Sequence, residues 1–118
     1  MKRSLESFIV KDLDEKLVLL CGPRQVGKTT LAKALPFASV QYLNFDASED
    51  RLTIIKRNWS RKSDLVIFDE LHKMPKWKTW IKGIYDSEGV RPRLLVTGSA
   101  RLDVYRKGGD SLAGRFFL

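Results

Sequence analysis

Apolar positions along the 118-residue chain change period several times, and those changes divide it into alternating helices and strands. Leu5, Phe8, Ile9 and Leu13 recur at helical spacing, predicting a short amphipathic helix that covers a sheet or docks another domain. Leu17 to Cys21 is unbroken apolar sequence and predicts the first strand. A helix begins near Lys28, continues over Thr30 to Leu35 and is stopped by Pro36. Val40 to Phe45 reads as the second strand, and Asp46-Ala47-Ser48 offers an N-cap for a helix running to about Asn58. Asp64 to Asp69 contains Leu65-Val66-Ile67-Phe68 with no polar alternation, the pattern of a strand buried on both faces of a parallel sheet. Pro75 opens a helix with Trp77, Trp80, Ile81, Ile84 and Tyr85 on one stripe, ending near Gly89. Leu94-Leu95-Val96 forms a fourth buried strand running into Thr97-Gly98-Ser99. Gly108-Gly109 is the expected flexible point, and Arg115 to Leu118 resembles the opening of a fifth strand that the chain does not finish. Strand and helix alternate throughout, which predicts a parallel α/β sheet with right-handed crossovers in one domain over residues 1–118.

The first strand leads directly into Gly22-Pro23-Arg24-Gln25-Val26-Gly27-Lys28-Thr29, the pattern of a Walker A loop. Two glycines let the backbone curl until its N–H groups point at phosphate oxygens, a path costly for residues with side chains. Lys28 would then reach the β and γ phosphates, the Thr29 hydroxyl would ligate Mg²⁺, and the helix through Thr30 would turn its positive end to the same anion. A second motif, Leu65-Val66-Ile67-Phe68-Asp69-Glu70, places two acids after an apolar strand, with Asp69 lying 41 residues beyond Lys28. Read as a Walker B, Asp69 holds Mg²⁺ through water and Glu70 orients the water that attacks the γ phosphate. Two adjacent acids after a strand also serve as a helix cap. At the third strand end, Thr97 or Ser99 is a candidate sensor of the γ phosphate, or Ser99 caps the following helix.

Arg115, in Ser111-Leu112-Ala113-Gly114-Arg115, is either an arginine finger on the transferring phosphate or a surface arginine. Arg24, Arg101 and Arg106 read better as solvated side chains. Lys76-Trp77-Lys78-Thr79-Trp80-Ile81-Lys82 interleaves basic and aromatic residues in the manner of a single-strand nucleic-acid track, but helical spacing gathers the aromatics on one buried face. His72 stands without a second histidine or a cysteine cluster, against a metal site there. No Asn-Lys-x-Asp string occurs, which favours adenine over guanine.

Composition narrows the partners. Twenty-two Lys plus Arg against fourteen Asp plus Glu give a net charge of +8, which suits an anion beyond the nucleotide without naming it. Met1-Lys2-Arg3 is followed by no long apolar run, so neither a signal peptide nor a membrane span is expected, and the protein is expected in the cytosol. The lone Cys21 ends an apolar strand and reads as core.

With these motifs placed, the chain resembles a prokaryotic AAA-type P-loop ATPase family that shares GPRQVGKTT, a Walker B ending in Asp-Glu, TGS and SLAGR. Here these are Gly22 to Thr30, Asp69-Glu70, Thr97 to Ser99 and Ser111 to Arg115. The resemblance implies a three-layer αβα domain of the additional-strand type, strand order 5-1-4-3-2, with ATP and Mg²⁺ as ligands and ATP hydrolysis as activity. It also implies a longer protein, with a helical region and a C-terminal domain beyond residue 118. On that basis four strands are expected to form, with the fifth incomplete and the edge beside the first strand poorly covered and prone to association. The competing readings are a nucleotide-binding fragment without useful catalysis, an ATPase stimulated by single-stranded nucleic acid with Asp69-Glu70-Leu71-His72 as a helicase box, and a small-molecule kinase.

Overall fold

A computed structural model describes the backbone of residues 2–22, 28–89, 91–98 and 113–117, and the side chains of residues 6–22, 30–89 and 91–98. Among these residues five strands form one sheet: β1 (Leu17–Cys21), β2 (Val40–Asn44), β3 (Leu65–Asp69), β4 (Arg93–Gly98) and β5 (Ala113–Phe117). Every pairing is parallel, and the order is β2-β3-β4-β1-β5, which is the expected 5-1-4-3-2.

Among the described residues four α-helices cover the sheet: α1 (Lys2–Leu13), α2 (Lys28–Lys33), α3 (Ser48–Lys56) and α4 (Trp77–Glu88). Successive strand residues point to opposite faces, so each apolar strand feeds two cores. On one face Leu19, Phe68 and Val96 pack with Ile54 of α3 and with Trp77, Ile81 and Ile84 of α4. On the other, Val18, Leu20, Ile67 and Leu95 pack with Ile9 and Leu13 of α1 and with Leu31 and Ala32 of α2. The αβα layering follows directly from that alternation.

The expectation of an unfinished fifth strand is corrected. β5 pairs with β1 over the full length of that strand, from Leu17 opposite Ala113 to Cys21 opposite Phe117. β1 is therefore an interior strand with hydrogen-bonded neighbours on both sides, and the expected bare edge beside it does not exist.

Smaller differences have local causes. α2 ends at Lys33, before Pro36, because the chain tightens there: the Ala34 N–H is shared between the carbonyls of Thr30 and Leu31, at 3.0 and 3.1 Å. The N-cap of α3 is Ala47, with no side-chain cap, since the Asp46 carboxylate is taken by Lys73 Nζ at 2.8 and 3.0 Å. α4 opens at Trp77, two residues after Pro75, behind a left-handed Lys76 at φ 59°. Phe8 is 61% exposed, so Ile9 and Leu13 carry the packing of α1. Gly108-Gly109 lies outside the described residues.

Candidate functional site

The register brings the carboxyl ends of the strands together. Asn44 stands opposite Asp69, Asp69 opposite Thr97, and Cys21 opposite Gly98. Open parallel sheets bind ligands at this edge, because loops leaving the strand ends form a crevice there. Gly22 follows β1 at that edge, and α2 starts at Lys28. Leu31, Ala32 and Leu35 hold the helix to the sheet by burial. Residues Pro23 to Gly27 lie outside the described residues, as do the side chains of Lys28 and Thr29; Thr30 is exposed.

Asp69 is the best-supported acid of the site. β3 carries it to the sheet edge after four fully buried apolar residues, and it is itself only 5% exposed. Alternation puts it on the face of Ile67, which is the face of α2. Two hydroxyls on that face reach it. Thr97 Oγ1 donates to Asp69 Oδ1 at 2.8 Å, and the Tyr42 hydroxyl donates to Oδ2. Tyr42 sits opposite Ile67, two residues back on β2, so its long side chain spans the diagonal to residue 69. The ammonium of Lys33 lies 4.2 Å from the centre of the Tyr42 ring, joining α2 to the same cluster. A carboxylate offers about four lone-pair directions. With one hydroxyl on each oxygen, Asp69 is oriented on the α2 face of the sheet.

Glu70 follows in a left-handed conformation, φ 58° and ψ 29°, which is costly for a residue with a Cβ. Its N–H donates to the Thr97 carbonyl at 2.8 Å, turning the chain out of β3 into a single 3-10 turn over Leu71–Lys73. The Glu70 carboxylate is buried, with His72 Nε2 at 3.4 Å and Lys73 Nζ at 3.8 Å from Oε1. Burial holds the His72 pKa below its ordinary value, outweighing the nearby Glu70 carboxylate, which acts to raise it.

Asp69, Glu70 and Thr97 thus converge where the first strand opens into the expected loop. Thr97, expected as a sensor of phosphate, gives its hydroxyl to Asp69. Ser99, Arg24, Arg101 and Arg106 lie outside the described residues. The backbone of Arg115 pairs with Leu19, in the middle of β1. Tyr42 and Lys33 were not singled out from the sequence; a hydroxyl two residues before the end of a strand is a faint signal without the register. Trp77 is buried and Trp80 packs against the same core, which removes the aromatic half of a nucleic-acid track on α4. Among the described residues no group of three or more His, Cys, Asp or Glu could hold a metal, and no helix is long and apolar enough to cross a membrane.

Similarity to known proteins agrees with this fold. An uncharacterized protein of Mycobacterium bovis, Mb2031c, and one of Mycobacterium tuberculosis, Rv2008c, are each 36% identical to the chain over 106 residues. The match takes in 86% of this chain and 24% of each relative, so the chain spans about a quarter of the length of the curated relatives it matches. Among solved structures, PCH-2 of C. elegans superposes with a TM-score of 0.63 at 15% identity, over 98% of this chain and 41% of that one. A DNA replication initiation factor gives 0.61 at 17%, over 99% and 46%. The replication initiator DnaA, bound to AMPPCP and single-stranded DNA, gives 0.54 at 18%, also over 99% and 46%. At such identities these three speak to the fold alone. The family model described as AAA domain, AAA_14, matches residues 14–118, and the chain belongs to that family of AAA+ P-loop ATPases.

Proposed function

We propose that this domain binds ATP with Mg²⁺ and hydrolyses it to ADP and phosphate. The observation that carries the reading is the buried Asp69 carboxylate, held by Tyr42 and Thr97 on the α2 face of the sheet, where α2 begins at Lys28. A carboxylate buried to this degree is expensive unless hydrogen-bonded or paired with a cation. Two hydroxyl donors orient it, and a hard cation is a fitting partner for a carboxylate so held.

In this reading the backbone N–H groups from Gly22 through Gly27, with Pro23 shaping the turn, cradle the phosphates beside Arg24, Gln25 and Val26, and Lys28 neutralises the β and γ oxygens. Thr29 and Asp69 hold Mg²⁺, a hard cation that suits hydroxyl and carboxylate oxygens and is usually bound by one or two carboxylates with phosphate and water. When bound, the ion would supply positive charge against that developing on the transferring phosphate. Glu70 accepts a hydrogen bond from the attacking water and aligns it with the γ phosphorus. Ser99 reads the γ phosphate and Thr97 acts through Asp69. The mycobacterial relatives are about four times longer than the matched region, and the remainder of such a protein, or a separate partner, receives the work of hydrolysis in the cytoplasm.

Calorimetric titration with MgATP, run beside Lys28→Ala and Glu70→Gln, tests the reading. Saturable binding lost in Lys28→Ala, with turnover abolished and binding kept in Glu70→Gln, is the expected result. Binding without hydrolysis in the parent would favour a non-catalytic nucleotide module, and no binding at all would overturn the reading.

A further inference from the structure

His72 is the chain's single histidine, and nothing above gives it a role. Its ring lies between two parts of the site. On one side Nε2 is 3.4 Å from Glu70 Oε1. On the other, Nδ1 is shut away from solvent and has no hydrogen-bond partner among the described residues. A Cβ added at Gly98 would stand 2.7 Å from Nδ1 and 3.2 Å from Cε1, so the end of β4 approaches the ring as closely as only glycine permits.

These contacts select one form of the ring. Burial favours the neutral imidazole, which carries a single N–H. A carboxylate at Nε2 accepts and cannot donate, so the proton belongs on Nε2 and the Nδ1 lone pair faces Gly98. Lys73 competes weakly for Glu70, because its ammonium is 3.8 Å from that carboxylate and 2.8 Å from Asp46. The Glu70 main chain is tied to the same stretch of β4 through the Thr97 carbonyl. Backbone and side chain of Glu70 are thus referred to two consecutive residues of one strand, immediately before Ser99.

We propose that His72 is a positioning residue for Glu70: its neutral imidazole presents Nε2–H to the carboxylate and is braced from behind by β4 at Gly98. Movement at the end of β4 then passes through the ring to the carboxylate. The proposal rests on Glu70 being the water-orienting group, but the contact itself is testable without nucleotide.

One histidine gives one set of imidazole resonances. Long-range ¹⁵N–¹H spectra of the nucleotide-free protein should show the Nε2–H tautomer, with both ring nitrogens shifting in Glu70→Gln and in Gly98→Ala. An Nδ1–H tautomer, or a ring that ignores both substitutions, would overturn the proposal. In turnover, His72→Leu should lower kcat about ten- to a hundredfold at unchanged KM, the scale of a misplaced catalytic group. His72→Gln, whose amide N–H can reach the same carboxylate, should recover most of that loss. Equal defects in the two variants would mean that the ring only fills space. If His72→Leu does not fold, the resonances of the parent and of Glu70→Gln decide the matter. If Glu70→Gln turns over like the parent, the function assigned to Glu70 fails, while the tautomer and shifts still report whether His72 holds its carboxylate.

Discussion

Thr97 holds both acids of the site: its hydroxyl donates to Asp69 Oδ1 at 2.8 Å, and its carbonyl accepts the Glu70 N–H at 2.8 Å. Thr97→Val removes the first bond, keeps the second and nearly preserves the shape. A buried carboxylate that loses a donor costs about 1–3 kcal/mol. We expect a loss of that size in urea denaturation, together with weaker Mg²⁺-dependent nucleotide binding. Thr97→Ser should behave like the parent. An unchanged valine variant would show that the hydroxyl does nothing for Asp69.

Tyr42→Phe separates two contacts made by one side chain. The ring remains as a platform for Lys33, while the hydroxyl on Asp69 is lost. A fall of about 1.5–3 kcal/mol is expected for a bond to a charged group. Because Tyr42 and Thr97 share Asp69, the double variant with Thr97→Val should depart from the sum of the singles. Strict additivity in denaturation would mean that the two hydroxyls do not act on a common carboxylate.

His72 makes folding stability depend on pH in a definite direction. Burial lowers its folded pKa below the unfolded value of 6.5, against the upward pull of Glu70, Asp46 and Asp69 and with the help of Lys73. Between the folded and unfolded values the unfolded chain binds more protons, so stability rises with pH through that window and falls as pH drops below 6.5. Denaturation midpoints from pH 7.5 to 5 should therefore show an acid-side loss that is smaller in His72→Gln. The same slope in both proteins would assign the effect to other groups.

Phe68 is one corner of an edge-to-face triangle, its centroid 5.1 Å from that of Trp59 and 5.7 Å from that of Trp80, with the two tryptophans 5.9 Å apart. It is fully buried and immediately precedes Asp69. Phe68→Ala should cost about 3–5 kcal/mol, a large share of the stability of a small domain. Thermal melts and tryptophan emission should report that loss together. A melting temperature within a few degrees of the parent would contradict the packing described.

The strands were legible because unbroken apolar runs such as Leu65 to Phe68 carry their own signal, and the place of Asp69 and Glu70 because the acids follow at the strand end. What the sequence concealed depended on register. Tyr42 reaches Asp69 only because β2 sets it opposite Ile67, and Gly98 meets His72 only through the turn after β3. Helix caps misled for a related reason: Asp46 is a good cap by type, yet a lysine 27 positions later claims its carboxylate. The apolar signal of the fifth strand begins only at Arg115, which makes it look unfinished; β1 is itself only five residues long, so Ala113–Phe117 suffices to match it.

That match also sets an order on folding. β1 carries the loop, yet its two neighbours are β4 and β5, so the residues that flank Leu19 are Val96 and Arg115. Contacts this distant in sequence are slow to form, since chain entropy is lost before they contribute. During synthesis β1, which leads into the candidate site, waits for the ribosome to deliver β4 and β5. The earliest-made strand of the sheet thereby gains its hydrogen-bonded neighbours last, from the two strands that lie farthest from it in sequence.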